Sequence, residues 1–201
     1  MGAKGLIRIQ DSIESLQDDI RGTRSYPRLD RRWQDVLELS RQKRDDDKYL
    51  MELDSLLHVM ERLSIYEDIL EHVQKIGGKR VIDIGCANGH QSEVFINSEV
   101  KYSGLELFEV DFFNRDTCEY KVATYPCELN TSDGDVGVSV LCLTWNCFLW
   151  DGEKTLHQQC AALKRDFSDC ILYTTSDKLP VITQYFAKVD RIGMNLYHFS
   201  N

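Results

Sequence analysis

The sequence predicts an α/β protein in which a doubly wound, mostly parallel sheet follows an N-terminal helical segment. Residues 1–76 have the apolar spacing of helices, whereas residues 77–201 contain short apolar strands separated by helix-length segments. Strands that alternate with helices form a parallel sheet covered on both faces. A glycine-rich turn follows the first strand, which is where such sheets bind ligands. We therefore divide the chain into a helical segment at 1–76 and a ligand-binding domain at 77–201.

Apolar residues spaced three and four apart predict three helices in the first segment. The first runs from Leu6 to Ile20, the second begins at Pro27, and the third continues to a left-handed cap at Gly77. We expect these helices to pack on the sheet domain as a lid or as an interaction surface. The inward-facing residues of the three helices are Leu6, Ile9, Ile13, Leu16 and Ile20, then Leu29, Trp33, Val36 and Leu37, and finally Tyr49, Leu53, Leu56, Met60, Leu63, Tyr66, Leu70 and Val73.

Seven short apolar segments in the second part of the chain predict strands. We expect the first five to be parallel and the last two to close the sheet as an antiparallel pair. The predicted strands are Val81–Ile84, Tyr102–Leu107, Tyr120–Thr124, Val136–Leu143, Cys170–Thr174, Phe186–Ile192 and Asn195–Phe199.

Composition and charge disfavour several classes of function. The chain has no apolar run long enough to span a membrane and no apolar stretch of a signal peptide, so we expect a cytoplasmic protein without membrane contact. Its cysteines form no C-x-x-C pair, which favours reduced thiols over a metal site. A net charge of −9 disfavours a nucleic-acid partner. The basic stretch 21–44 could still dock one, although a solvated helix face is the simpler interpretation.

The segment Asp83–His90 is the most informative part of the sequence. A buried strand enters a turn with glycine at 85 and 89 and alanine at 87, and a helix is expected to follow. Missing side chains let a ligand approach the backbone, and the first N–H groups of a helix have no partners within it. This arrangement predicts a nucleotide-type pocket at the carboxyl end of a parallel strand. The spacing lacks the third glycine of dinucleotide folds and the Gly-Lys-Ser/Thr of P-loops.

Glu106 is the second feature of the sequence that predicts a nucleotide-type pocket. It ends the second predicted strand, 21 residues after Gly85. A carboxylate at this position can accept hydrogen bonds from both ribose hydroxyl groups of an adenosine. Glu106 alone could be a surface acid, but the glycine turn and the acid together favour an adenosine-binding site.

Residues 80–107 resemble the first two motifs of class I S-adenosylmethionine-dependent methyltransferases, whose first loop has the pattern acid-x-G-x-G-x-G. Asp83, Gly85 and Gly89 match this pattern, Ala87 replaces the middle glycine, and Glu106 matches the ribose-binding acid. The resemblance implies the seven-stranded methyltransferase-type sheet and S-adenosylmethionine as the cofactor. It covers about 120 residues, and only the first two motifs are specific.

The resemblance also implies which residues bind the cofactor. The turn would hold the methionine part, Glu106 the ribose, and the ends of the second to fourth strands the adenine. In many family members an acid after the third strand accepts from the adenine amino group, and here Ala123, Thr124 and Tyr125 stand there instead. The implied cofactor-binding residues are Asp83, Gly85, Cys86, Ala87, Asn88, Gly89, Glu106, Leu107, Thr124, Tyr125 and Leu141.

Methyl transfer to a small molecule or to a protein side chain is the reaction that the resemblance implies, and the protein mainly has to align acceptor and methyl group. No catalytic residue follows from the sequence, and the roles of His90, Trp145 and Asn146 stay open. Pro126-Cys127 resembles the nucleophilic Pro-Cys pair of cytosine-5 methyltransferases. In that family the pair follows the fourth strand, whereas Cys127 follows the third, which disfavours a nucleophilic role. The alternatives are a catalytically degenerate module for cofactor sensing, binding or assembly, and an enzyme that uses a decarboxylated cofactor. We favour a monomer and leave a dimer open.

Overall fold

The computed structural model describes residues 12–13, 15–16, 20–42, 47–110, 117–140 and 152–201. Its helices are α1 (Tyr26–Gln42), α2 (Asp47–Met60), α3 (Leu63–Lys75), α4 (Ser92–Phe95), α5 (Gly152–Asp166) and α6 (Leu179–Ile182). Its strands are β1 (Arg80–Ile84), β2 (Lys101–Glu106), β3 (Glu119–Val122), β4 (Asp135–Val140), β5 (Asp169–Tyr173), β6 (Lys188–Gly193) and β7 (Leu196–Ser200). Helices therefore come first and an alternating α/β part follows, as the sequence predicts.

The strands form one seven-stranded sheet in the order β3-β2-β1-β4-β5-β7-β6. β1 pairs in parallel with β2 and β4, while β7 runs antiparallel between β5 and β6. The chain leaves β1 toward one edge through β2 and β3 and then returns to β4 on the other side. Ligands bind outside the carboxyl ends of the strands where the order reverses in this way. The doubly wound sheet and its closing antiparallel pair are confirmed.

The predicted strands agree with the observed ones to within a few residues. β1 begins at Arg80, one residue before the predicted start, and β2 ends at Glu106. β3 has only four residues and lies at an edge of the sheet, which is why its apolar pattern is weak. β4 ends at Val140, and the predicted continuation to Leu143 lies outside the described residues.

The third predicted helix is wrong as a single element, because the chain forms two helices, α2 and α3, in its place. A turn at Glu61 and Arg62 separates them. In this turn the N–H of Arg62 donates to the carbonyl of Val59 at 3.1 Å, and its guanidinium donates to the carbonyl of His58 at 2.9 Å. The apolar spacing continues across the turn, so the sequence pattern does not reveal it. α3 ends at the predicted left-handed cap, where Gly77 has φ +78°.

The sheet carries a hydrophobic cluster on each face. Alternate residues of β1 divide between the two, because Val81 belongs to the cluster that includes the N-terminal helices and Ile82 to the cluster that includes α5. The apolar stripes of α1, α2 and α3 are buried in the first cluster together with residues of the sheet, so they are covered within the chain. Two residues of the first predicted stripe, Ile13 and Ile20, are buried in the same cluster. Two others lie outside the described residues, namely Leu6 and Ile9.

Two connections contain little or no helix, and for the one after β1 the sequence predicts a helix. The segment after β1 forms only the single-turn helix α4, and residues 123–134 between β3 and β4 contain no helix. α4 ends because Ile96 is extended, with ψ 133°, and Asn97 follows in the left-handed region with φ +64°. The glycine turn is therefore followed by compact, irregular chain and not by a long helix.

None of the helices within the described ranges is long and apolar enough to cross a bilayer. In those ranges, too, no group of three or more His, Cys, Asp or Glu side chains is arranged to hold a metal ion.

Candidate functional site

The glycine turn lies at the carboxyl end of β1, where the strand order reverses. Gly85, Ala87 and Gly89 all have positive φ, at +76°, +48° and +72°. Glycine adopts this region without a steric penalty, whereas an alanine there costs about 1–2 kcal/mol. The alternation of left-handed residues turns the backbone back on itself and leaves Ala87 exposed at the tip.

Backbone and side-chain hydrogen bonds hold the turn in this shape. The N–H groups of Gly85 and Cys86 both donate to the carbonyl of Leu105, at 2.8 and 3.2 Å. The side-chain amide of Gln91 donates to the carbonyl of Cys86 at 2.8 Å and to Oδ2 of Asp83 at 2.7 Å. The turn is thus tied to the end of β2 and to the chain that follows it, which restricts its conformation.

Asp83 is a buried carboxylate behind the turn, with 1% of its surface exposed. Its Oδ2 accepts from the Tyr102 hydroxyl group at 2.6 Å and from Gln91, while its Oδ1 has no hydrogen-bond partner among the described residues. Burial raises the pKa of Asp83 to about 6, and the negative charge of Glu106 adds to this effect, while its hydrogen bonds oppose it. A buried negative charge is costly, and any positive charge that binds nearby stabilises it.

Glu106 lies at the end of β2, half-buried beside the turn. Its Oε2 accepts from the N–H of Ala87 and its Oε1 from the N–H of Leu107, each at 2.7 Å. The N–H of Ala123, just after β3, donates to the Glu106 carbonyl at 2.9 Å. A carboxylate has about four acceptor positions, so both oxygens keep capacity for a ligand. The residues present therefore fit a ligand that carries a diol, as an adenosine does.

The other predicted site residues lie in different surroundings. Cys86 is buried, Leu107 is half-buried, and Thr124 is exposed. Tyr125 is buried in the cluster that includes α5, and its hydroxyl group donates to Asp166 at the end of α5 at 3.1 Å. The structure thus brings Asp83 to Gly89 together with Glu106 and Leu107, but it directs the hydroxyl group of Tyr125 toward α5. Leu141, which is predicted to bind the cofactor, lies outside the described ranges, and so do Trp145 and Asn146, whose roles the sequence leaves open.

Glu52, which the sequence did not assign to the site, contacts two side chains of the segment Asp83–His90. Nε2 of His90 lies 2.6 Å from Oε1 of Glu52, and the side-chain amide of Asn88 donates to Oε2 of Glu52 at 2.5 Å. Neither His90 nor Glu52 has any exposed side-chain surface. The sequence does contain a signal for Glu52, because it lies three residues after Tyr49 and directly before Leu53, on the inward side of α2.

Cys127 lies in an open cavity of about 480 Å³ between the loop after β3 and the end of α5. Arg165 and Asp166 line the same cavity. Burial raises the pKa of the Cys127 thiol. A reactive cysteine needs a lowered pKa, because the thiolate is the nucleophile. The surroundings of Cys127 thus favour the unreactive thiol.

Comparison with known proteins identifies the class of fold. No protein-family model and no curated protein matches the chain. Solved structures do match, among them WbdD, a bifunctional kinase-methyltransferase, at 17% identity and a TM-score of 0.58, over 71% of this chain and 41% of WbdD. Magnesium protoporphyrin IX methyltransferase from Synechocystis PCC 6803, solved with bound S-adenosylmethionine, matches at 12% identity and a TM-score of 0.54, over 71% of this chain and 84% of that one.

A third structure is a TehB-like S-adenosylmethionine-dependent methyltransferase from Corynebacterium glutamicum, with 16% identity and a TM-score of 0.50 over 68% of this chain and 87% of that one. The chain has the fold of class I S-adenosylmethionine-dependent methyltransferases, including the antiparallel β7 that is typical of them. It spans about two fifths of the length of WbdD. At these identities the likeness is one of fold.

Proposed function

We propose that this protein binds S-adenosylmethionine at the glycine turn and transfers its methyl group to a small molecule or to a protein side chain. One observation carries the proposal: Glu106 stands beside a left-handed glycine turn at the ends of two neighbouring parallel strands and keeps acceptor capacity on both oxygens. Two methyltransferases of the same fold support this choice of ligand: the one from Corynebacterium glutamicum is S-adenosylmethionine-dependent, and the one from Synechocystis PCC 6803 was solved with S-adenosylmethionine bound.

Each part of the site has a role in this proposal. Glu106 accepts hydrogen bonds from the ribose hydroxyl groups, and the backbone of Gly85–Gly89 lies against the methionine part. Asp83, buried behind the turn, places a negative charge near a ligand that carries a positive sulfonium. Bound S-adenosylmethionine supplies an electrophilic methyl group, so the protein has to hold donor and acceptor in line. The turn suits this task because its shape is fixed by its own hydrogen bonds.

A catalytically degenerate module that senses or binds the cofactor is the second candidate. It is favoured by the position after β3, where the residue expected to accept from the adenine amino group is an exposed threonine, Thr124, and not an acid. A site without that acceptor holds adenine less specifically. The two candidates share the cofactor site and differ in whether a methyl acceptor is used.

Calorimetric titration with S-adenosylmethionine and S-adenosylhomocysteine tests the proposal. An enzyme releases S-adenosylhomocysteine as its product, so we expect one binding site that takes both ligands. Glu106→Ala should weaken both, and Glu109→Ala, a change at an exposed acid nearby, serves as the matched control. Absence of binding by the parent protein contradicts the proposal. Binding of S-adenosylmethionine without transfer of a labelled methyl group to small-molecule or protein fractions supports the sensing module instead.

A further inference from the structure

The N-terminal helices place a carboxylate inside the protein next to the glycine turn. Glu52 lies on α2 among apolar residues, and its side chain has 0% exposure. Asp54, two residues later on the same helix, has 58% of its side chain exposed. Charged residues are rarely this buried unless they are paired, because burial removes their hydration. Glu52 is therefore expected to have polar partners inside the protein.

Both oxygens of Glu52 contact the segment that follows the turn. The Asn88 side-chain amide donates to Oε2, and Nε2 of His90 lies 2.6 Å from Oε1. These two residues flank Gly89, whose φ of +72° makes the last bend of the turn. One carboxylate on α2 thus contacts the chain on both sides of that bend, and its Oε2 accepts a hydrogen bond from Asn88.

A second set of contacts links the same segment to α1. Nε of Arg28 donates to the carbonyl of Glu93 at 3.1 Å, and it lies 3.5 Å from the Glu93 carboxylate. Nη1 of Arg32 lies 3.6 Å from the same carboxylate. Residues 88–93 are therefore held by an acid from α2 and by two basic residues from α1. The N-terminal helical segment contacts the turn through specific charged and polar groups as well as through its apolar stripes.

The buried imidazole of His90 shows that this arrangement is held against a local cost. Neither ring nitrogen of His90 has a well-aligned hydrogen-bond partner among the described residues, although Glu52 lies close. Burial lowers the pKa of His90, the charge of Arg32 lowers it further, and Glu52 and Glu93 oppose both. Such a group stays buried only where the surrounding structure fixes it. Here the surrounding structure is α2, which supplies Glu52.

We propose that Glu52 is a positioning residue of the cofactor site, which acts through Asn88 and His90 to hold the bend at Gly89 in its ligand-binding shape. This inference rests on the proposed function, because it takes S-adenosylmethionine as the ligand that the turn binds. It makes the N-terminal helical segment a working part of the site and not only a cover over the sheet. Glu52 itself does not touch the reacting atoms.

Substitution of Glu52 tests this proposal in the full chain. Glu52→Ala removes both contacts, whereas Glu52→Gln keeps an oxygen that can accept from Asn88. We expect S-adenosylmethionine affinity to fall by about 10- to 100-fold for the alanine variant and by about 3- to 10-fold for the glutamine variant. Asp54→Asn, on the exposed face of the same helix, should leave the affinity unchanged. A purely apolar packing role would instead be restored by Glu52→Met, which fills a similar volume without an acceptor oxygen.

A double-mutant cycle with Asn88→Ala tests whether Glu52 acts through the turn. If it does, the double variant Glu52→Ala/Asn88→Ala should lose less affinity than the sum of the two single losses, because residues in one hydrogen-bonded set are not additive. Fully additive losses contradict the proposed route. Far-UV circular dichroism checks that each variant is folded, and where Glu52→Ala does not fold, the affinity of Glu52→Gln decides the question.

The outcomes separate this inference from the proposed function. A parent protein that binds S-adenosylmethionine, together with Glu52 variants that bind within twofold of it, overturns the role of Glu52 and leaves the proposed function intact. A parent protein that binds no S-adenosylmethionine overturns both. Amide hydrogen exchange without ligand adds independent evidence: Glu52→Gln should speed exchange at residues 85–90 and leave β4 and β5 unchanged.

Discussion

Two carboxylates contact the glycine turn from different parts of the chain, and their surroundings differ. Glu106, at the end of β2, is half-buried and accepts a backbone N–H on each oxygen. Glu52, on α2, is fully buried and contacts the side chains of Asn88 and His90. The first retains acceptor positions beside an exposed loop tip, whereas the second is enclosed by helices.

This difference suits Glu106 to binding a ligand and Glu52 to supporting the structure of the turn. An acid that is partly hydrated and has vacant acceptor positions can exchange water for a ligand at little cost. An enclosed acid cannot do so, and its removal leaves its partners unsatisfied. Changes at Glu106 should therefore affect ligand affinity with little effect on the fold, and changes at Glu52 should affect the shape of the turn.

The largest effect is expected for Gly85→Val. Valine is strained at φ +76°, and its side chain would stand where the ligand meets the backbone. We expect S-adenosylmethionine affinity to fall by more than about 100-fold in calorimetry. Gly22→Ala is the matched control, because a Cβ added at Gly22 has no atom within 4 Å. If a folded Gly85→Val variant binds S-adenosylmethionine as tightly as the parent protein does, the turn is not part of the binding site.

Glu106→Ala sharpens the comparison between the two acids. Loss of hydrogen bonds from neutral hydroxyl groups to a carboxylate should weaken S-adenosylmethionine binding by about 10- to 100-fold. Glu106→Gln should weaken it less, because the amide oxygen still accepts one bond. The thermal unfolding midpoint should stay near that of the parent protein for both variants. If Glu106→Ala binds S-adenosylmethionine with the affinity of the parent protein, Glu106 is only a surface acid.

Asp83→Asn should have an intermediate effect, on stability as well as on binding. The pKa of Asp83 lies near 6 in the folded protein and near 3.8 in the unfolded chain, so the folded state holds this proton more tightly. Stability from this group is therefore lost as the pH rises from about 4 to above 6. We expect Asp83→Asn to raise the free energy of unfolding by at most about 3 kcal/mol at pH 8 and by less at pH 5.

Denaturant unfolding across pH 4–8 measures this effect, and affinity should change in the opposite direction. Loss of the buried negative charge should weaken S-adenosylmethionine binding even where the fold is more stable. A variant with the same pH dependence as the parent protein shows that Asp83 does not titrate in this range. A variant that binds more tightly contradicts an electrostatic role for Asp83.

Ala87→Gly is the smallest change and restores the middle glycine of the family pattern. At φ +48° glycine avoids the steric cost that alanine carries, although it also gains freedom in the unfolded chain. We expect the free energy of unfolding to rise by no more than about 1 kcal/mol and the affinity to stay equal or improve slightly. Clear destabilisation, measured by denaturant unfolding, means that the Ala87 methyl group makes a contact of its own.

The two acids also show how far the sequence predicts the site. Glu106 follows from the spacing of a strand, a turn and a second strand, because neighbouring parallel strands place their ends together. Glu52 meets the turn across 36 residues of sequence, and that contact depends on how α2 packs on the sheet. Apolar periodicity predicts which side of a helix faces inward, but not which residue it meets there.

The same limit explains the remaining differences in the fold. The turn at Glu61 and Arg62 does not interrupt the apolar spacing, so two helices look like one in the sequence. Tyr125 follows β3 as the family pattern suggests, but its ring is buried in the hydrophobic cluster that includes α5. Strand order and direction, in contrast, follow from the alternation of elements along the chain.

Backbone amide NMR of the full chain, titrated with S-adenosylmethionine, tests most directly whether the ligand binds at this turn. The amide signals of residues 85–89 and of Leu107 should shift most and saturate together with one bound ligand, because these groups surround the proposed site. Signals from β6 and β7 at the far edge of the sheet should stay in place. Saturable shifts centred elsewhere, or none at all, contradict a cofactor site at the glycine turn.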